Sequence, residues 1–237
     1  MIKFITPFFF AITALATSVT AKGYNIKEFT QSYKLSTSLL YAHFEGKGSI
    51  ESTFLMDADL ESAPGVSLEW SSLPSRSGFS VGFEYIYLTT GAQIGGVIDA
   101  FEAGIANFLT DSTSFVAGNY STLDEDYNLH TAFLNFSNDT SLTDNLSAYI
   151  GLGLGFCFIN QEFTASSAGS TYKYDEDDIV FTYQVKAGMQ YNISDSITLH
   201  GGVRYIGIQD AKFDYNVVQF KGNAKAFAVE LGLAYKY

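Results

Sequence analysis

The stretch KAFAVELGLAYKY, residues 225–237, alternates with period two. Phe227, Val229, Leu231, Leu233, Tyr235 and Tyr237 are bulky and apolar, while Ala226, Ala228, Glu230, Gly232, Ala234 and Lys236 are small or charged. Successive side chains of a β-strand point to opposite faces, so the pattern describes a strand with one greasy face and one narrow, partly ionic face. A chain built from such strands must find a dry environment for the large face. Where that environment lies decides the fold.

The pattern recurs. In DDIVFTYQVKAGMQYNIS, Ile179, Phe181, Tyr183, Val185, Ala187, Met189 and Tyr191 share one face, and Val180, Thr182, Gln184, Lys186, Gly188 and Gln190 the other. In NLSAYIGLGLGFCFIN, Leu146, Ala148, Ile150, Leu152, Leu154, Phe156 and Phe158 alternate with Ser147, Tyr149, Gly151, Gly153, Gly155 and Cys157. SITLHGGVRYIGI, FSVGFEYIYLTT and GVSLEWSS behave alike, and SYKLSTSLLYAHF is a less regular strand. YNLHTAFLNFS is an eighth strand whose two faces are both mixed. Three prolines in 237 residues suit long strands, because proline cannot donate to a ladder.

Connector lengths give the topology. Those at 73–78, 138–145 and 192–196 are short, and those at about 45–65, 91–126, 160–178 and 209–224 are long, polar and acidic. This alternation predicts an up-and-down meander with all short turns at one end, the asymmetry of outer-membrane barrels. Eight strands enclose an interior just wide enough for ordinary side chains. Filling it with the bulky face would overpack it, whereas the small and charged face fits. The expectation is an all-β, eight-stranded antiparallel transmembrane barrel with its apolar face toward lipid. Closure follows, since hydrocarbon satisfies no open edge.

The first residues agree with export. MIKFITPFFFAITALATSVTA has Lys3, an apolar run and small residues before a cleavage point, the layout of a signal peptide over 1–21. The barrel domain is then expected over 22–237. The formal charge of −12 and the absence of a basic run argue against nucleic acid. Cys157 is the one cysteine, which excludes a disulfide framework and suits a small core residue.

FLNFSNDTSLTDNLSAYIGLGLGFCF resembles the central hairpin of the small outer-membrane β-barrel proteins, the opacity-protein and surface-antigen group related to OmpA and OmpX. Their P-Y-x-G-x-G-x-G run is matched by Ala148-Tyr149-Ile150-Gly151-Leu152-Gly153-Leu154-Gly155, with alanine in place of proline. The terminal strand resembles the signal read by the barrel assembly machinery, although most members end in Phe and this sequence ends in Tyr237. The resemblance implies a monomeric eight-stranded barrel without a peptidoglycan-binding domain. It also implies a Gram-negative outer membrane and a surface role of the adhesin or antigen type.

Five charges fall on the narrow face: Glu69, Glu84, Lys186, Arg204 and Glu230, with Lys34 a possible sixth. Buried charges need partners, so these are expected to pair across the lumen as a plug; the alternative is a gate in a narrow pore. Tyr85, Tyr87, Tyr183, Tyr191, Tyr205, Tyr235 and Tyr237 share outward parity and are expected at the two lipid interfaces. His43, His130 and His200 show no metal-binding spacing, and no GxSxG or phosphate loop occurs, so neither cofactor nor enzyme activity is expected. A lipid-modifying enzyme ranks third. The runs Asp124–Asp126 and Tyr174–Asp178 read as solvated loop ends, with weak divalent bridging to lipopolysaccharide as an expectation. In GAQIGGVIDAFEAGIANFLTD, Ile94, Val97, Ile98, Phe101, Ile105 and Phe108 fall at helical intervals. They predict a helix over 93–109 whose apolar face caps the mouth or contacts a host ligand.

Overall fold

The computed structural model describes residues 33–50, 54–75, 78–97, 107, 120–167, 170–215 and 218–237. The expected signal peptide lies outside the described residues. Eight strands close into one barrel: β1 (Tyr33–Ile50), β2 (Phe54–Ser72), β3 (Phe79–Val97), β4 (Tyr120–Ser141), β5 (Leu146–Ser167), β6 (Ser170–Asn192), β7 (Ile197–Tyr215) and β8 (Val218–Lys236). Each pairs antiparallel with its sequence neighbour, and β1 pairs with β8.

The bulky face of every strand points out. Leu39 is 69% exposed, Phe156 62% and Leu231 60%, and an apolar band of this kind surrounds the barrel. Exposed leucine and phenylalanine on every strand have no place in water, and hydrocarbon is the solvent that accepts them. The mixed strand is now resolved: Leu129, Thr131, Phe133 and Asn135 of β4 face in and are buried, while Leu134 and Phe136 face out.

The short connections are tight. Leu142 and Thr143 donate their amides to the Leu146 carbonyl, and Ile193 and Ser194 do the same to that of Ile197. In each turn a hydroxyl, Thr143 Oγ1 or Ser194 Oγ, accepts the amide of the residue three positions on, at 3.1 Å. Gly78 closes the β2–β3 turn with φ of 81°, and a Cβ there would sit 2.2 Å from the Asp139 carbonyl oxygen. Glycine alone suits both conditions.

The long connections differ from expectation. Stretches read as loops are mostly strand: β4 runs up to Tyr120 and pairs there with Val97, and β5 and β6 pair up to Ser167↔Ser170. Polar residues on both faces hide the alternation once the strands leave lipid, but pairing still satisfies their backbone groups. The acidic runs are therefore strand segments rather than loop ends. The helix over 93–109 is not supported, because 93–97 continue β3 as far as Val97. Ile94 and Val97 thus belong to a strand, and Ile98, Phe101, Ile105 and Phe108 lie outside the described residues.

These extensions do not continue the closed wall. Among the described residues β2 pairs with β3 only from Ser71↔Gly82 to Gly65↔Leu88, and β6 with β7 only from Asn192↔Thr198 to Thr182↔Ile208. All other pairs reach toward the tips. Above the lipid band the wall divides into two four-stranded sheets, β7-β8-β1-β2 and β3-β4-β5-β6. Pro64, with no amide hydrogen, stands where β2 leaves β3. On the other side Asp178 spans the gap: its Oδ1 accepts from the Ile179 amide at 2.8 Å and its Oδ2 from the Lys212 amide at 2.7 Å.

Candidate functional site: a two-layer lumen

The inward residues fall into two layers. The lower layer, toward the short turns, holds the charges. Glu84 of β3 lies at its centre: Arg204 Nη1 of β7 is 2.9 Å from Oε1, and Lys186 Nζ of β6 is 3.5 Å from Oε2. Asn135 Nδ2 and Gln184 Nε2 each donate to Glu84 Oε2 at 2.8 Å, and Gln184 Nε2 also donates to Asn135 Oδ1 at 2.9 Å. Arg204 Nη2 pairs with Glu230 of β8, whose other oxygen accepts from Tyr149 OH at 2.5 Å. Lys186 Nζ also lies 2.5 Å from Glu69 of β2. Strands far apart in sequence thus meet at the barrel axis, and all five expected charges join one network. Glu84 and Arg204 are 1% and 2% exposed.

Parity singled out only the charges of this network; its two amides, Asn135 and Gln184, and Tyr149 were equally present in the sequence. Gln184 and Tyr149 stood on the narrow face of their strands, and Asn135 lay on the strand of mixed parity. The glycines opposite make room for them. A Cβ on Gly153 would sit 2.4 Å from Asn135 Oδ1 and 2.7 Å from Gln184 Cγ.

Below the network a polar pit opens toward the short-turn end, lined among others by Lys34, Ser38, Glu69, Asp139, Gln190 and His200. Ser38 Oγ lies 2.8 Å from His200 Nε2, a hydroxyl–imidazole pair that no sequence spacing revealed because β1 and β7 supply it. Among the described residues no carboxylate is hydrogen-bonded to the other ring nitrogen of His200, so the pair lacks the third group that orients a catalytic histidine. No group of three or more metal-binding side chains occurs among the described residues.

The upper layer is apolar. Phe44, Ile86, Leu88, Leu129, Phe133, Ile159, Ile206 and Ile208 are buried inside the barrel with Ala42, Ala63, Cys157, Val180, Ala226 and Ala228. This corrects the expectation that the inner face is small or charged throughout: it is so only up to Glu84 and Arg204. On β3 the change takes one step along the inner face, from Glu84 to Ile86. Higher still, Glu125, Tyr127 and Gln161 form a polar cluster in the extension: Tyr127 OH donates to Glu125 Oε1 at 2.5 Å, and Gln161 Nε2 donates to Glu125 and to Tyr127 OH. Burial pushes the Glu125 carboxyl above its usual range, against the lowering effect of these hydrogen bonds.

The seven tyrosines occupy two levels. Tyr191, Tyr235 and Tyr237 lie near the short turns, where Trp70 Nε1 donates to Tyr237 OH at 2.7 Å and Tyr33 stacks on Trp70 with ring centres 4.8 Å apart. Tyr85, Tyr87, Tyr183 and Tyr205 lie farther from the short turns on the same outward face. There Tyr85 OH is 2.6 Å from His130 Nδ1, and the Tyr183 and Tyr205 rings are 6.2 Å apart. Just above, Asn160 Nδ2 donates to Asp175 and Asp177 at 2.7 and 2.8 Å, and Lys173 pairs with Glu162 on the outer face.

A family model described as surface antigen matches residues 79–234. Among solved structures, the outer-membrane protease OmpT from Escherichia coli is similar over 87% of this chain and 97% of its own, with 12% identity and a TM-score of 0.50. Neisserial surface protein A gives 14% identity over 86% of this chain and 97% of its own, with a TM-score of 0.42. Ail of Yersinia pestis, solved with the heparin analogue sucrose octasulfate, gives 15% identity over 88% and 100%, with a TM-score of 0.40. No curated protein matches the sequence.

Proposed function

Because this chain belongs to the surface antigen family and lies in the bacterial outer membrane, we propose that it is a closed barrel whose two outer sheets are its working part, an interaction protein of the adhesin type rather than a pore. One observation carries this reading: the lumen is filled twice over. Water or ions would have to pass an ion-paired network and then a layer of Phe, Ile and Leu whose hydroxyls, Thr131 and Thr182, are already hydrogen-bonded within the protein. An ion entering that layer would lose its hydration without replacement, at a cost of several kcal/mol. The outer sheets are built as ordered extensions of the wall, which suits presentation of a surface.

In this reading the two tyrosine levels anchor the barrel at the lipid boundaries. Outer-membrane lipid and lipopolysaccharide contact the wall, with divalent ions bridging weakly to the acidic outer face. The strand ending at Tyr237 serves the barrel assembly machinery. Ile94, Val97, Ile98, Phe101, Ile105 and Phe108 belong to the region offered to a host ligand. The test is paired. Protein reconstituted in planar bilayers should be electrically silent, and cells displaying it should bind host cells or matrix only while the outer sheets are intact. Steady single-channel currents from the unaltered protein would replace this reading with the narrow pore. Release of fatty acid from lipid A would replace it with the enzyme.

A further inference from the structure

We propose that the outer edge of β3 over Gly91–Val97 receives an extended, basic, β-prone peptide of an extracellular partner as an added strand. The inference rests on the surface-interaction reading and gives it a partner class.

The division of the wall leaves four strand edges along two gaps. Three of them are blunted. The β7 edge has its Lys212 amide taken by Asp178. The β6 edge carries Asp175, Glu176, Asp177 and Asp178, and the β2 edge carries Pro64 with Glu61, Asp59 and Asp57 in its sequence. Charge, proline and side-chain caps are the devices that keep edges from pairing with foreign chains. The β3 run Gly91-Ala92-Gln93-Ile94-Gly95-Gly96-Val97 has none of them. It stays in register with β4 up to Val97↔Tyr120, with no irregularity, and among the described residues it has no strand partner on its other side. A paired strand still presents alternate N–H and C=O groups sideways, and an incoming strand can take them.

The charge of the occupant follows from the acids in the strands around the gap. Asp126 and Asp124 of β4 stand opposite Gly91 and Gln93, the β2 sequence across the gap has three acids, and the protein as a whole carries a formal charge of −12. A cationic peptide is drawn in and an anionic one repelled. Main-chain hydrogen bonds to β3 would supply the affinity and the acids of β2 the preference.

The test uses the full-length folded protein in detergent micelles. The probe is a fluorescent peptide of alternating lysine and valine, compared with the same peptide N-methylated at alternate residues. Saturable binding is expected for the first and loss of binding for the second, whose edge amides are blocked. The combined change Asp57→Asn, Asp59→Asn and Glu61→Gln should weaken binding, and Ile94→Lys should abolish it with folded gel mobility unchanged. In the unaltered protein, amide hydrogen exchange over Gly91–Val97 should slow when the peptide is added, which holds even if a variant misfolds. Equal binding of the methylated peptide would overturn the proposal, since charge alone would then suffice. So would Gly91–Val97 amides already protected without peptide, which would mean that the chain covers its own edge. If the peptide fails while displayed cells still bind through the outer sheets, this inference falls and the surface-interaction reading stands.

Discussion

Glu84 and Ile86 are two residues apart on the inner face of β3, and both are buried. Their surroundings differ completely. Glu84 is held by Arg204, Lys186, Asn135 and Gln184, whereas Ile86 touches the apolar layer with Phe133 as a member. The lower layer is held by complementary partners and fails if one is removed. The upper layer is held by packing and fails in proportion to the volume removed. The same narrow tube is thus filled by two kinds of packing with different vulnerabilities.

The largest effect is expected in the lower layer. Arg204→Ala leaves Glu84 and Glu230 facing each other without their shared cation and should cost about 3–5 kcal/mol. Urea unfolding in lipid vesicles, read by the shift between folded and boiled gel mobility, measures this. The variant should nevertheless stay silent in planar bilayers, because the apolar layer above is untouched. Ionic currents from Arg204→Ala would break the comparison by showing that the upper layer is no seal.

Ile86→Ala should cost somewhat less, about 3 kcal/mol, from lost burial and the cavity left behind. Its cost should not change with salt, and neither should that of Arg204→Ala to any great extent, since buried pairs are poorly screened. Gly153→Ala comes next, at about 1–2 kcal/mol, because the added methyl forces Asn135 and Gln184 to shift.

The smallest effect concerns Glu125 in the extension. Its pKa in the folded state is raised above the ordinary value of 4.5, chiefly by burial. The folded state therefore binds more protons than the unfolded one between 4.5 and the raised value, so stability falls as pH rises through that window. Glu125→Gln should flatten this slope and protect the outer sheets at neutral pH, without altering the lower layer. Limited proteolysis of the outer sheets across pH 4–8 reads it; an unchanged slope would show that Glu125 does not set it.

The barrel itself was legible because lipid imposes one rule on every outward position. Alternation in residues 179–191 and 225–237 gave strand and facing together, connector lengths gave the topology, and parity alone placed Glu69, Glu84, Lys186, Arg204 and Glu230 on the inner face. Parity does not reveal height, and height decides chemistry here. Ile86, Val180 and Ile206 share the face of Glu84, Lys186 and Arg204, so apolar residues on the narrow face marked the upper layer. In β4 that layer placed Leu129 and Phe133 inside, while Leu134 and Phe136 faced lipid, which made both of its faces look mixed. Above the lipid the rule lapses, the outer face turns polar while the inner face mixes polar and apolar residues, and strands such as 120–126 and 170–178 read as loops. The Ser38–His200 contact was beyond reach for a different reason: closure brings the two residues together, and no local pattern records that.

Cys157 sits on the inner face of β5 within the apolar layer, fully buried, with Thr131 Oγ1 donating to its sulfur at 3.2 Å. A thiol exported into an oxidising compartment ordinarily risks sulfenic acid or a crosslink to a neighbouring molecule. Here the sulfur has no exposed surface to offer a second thiol. The barrel can therefore carry a lone thiol through an oxidising environment as an inert spacer, and molecules crowded in the same membrane stay covalently separate.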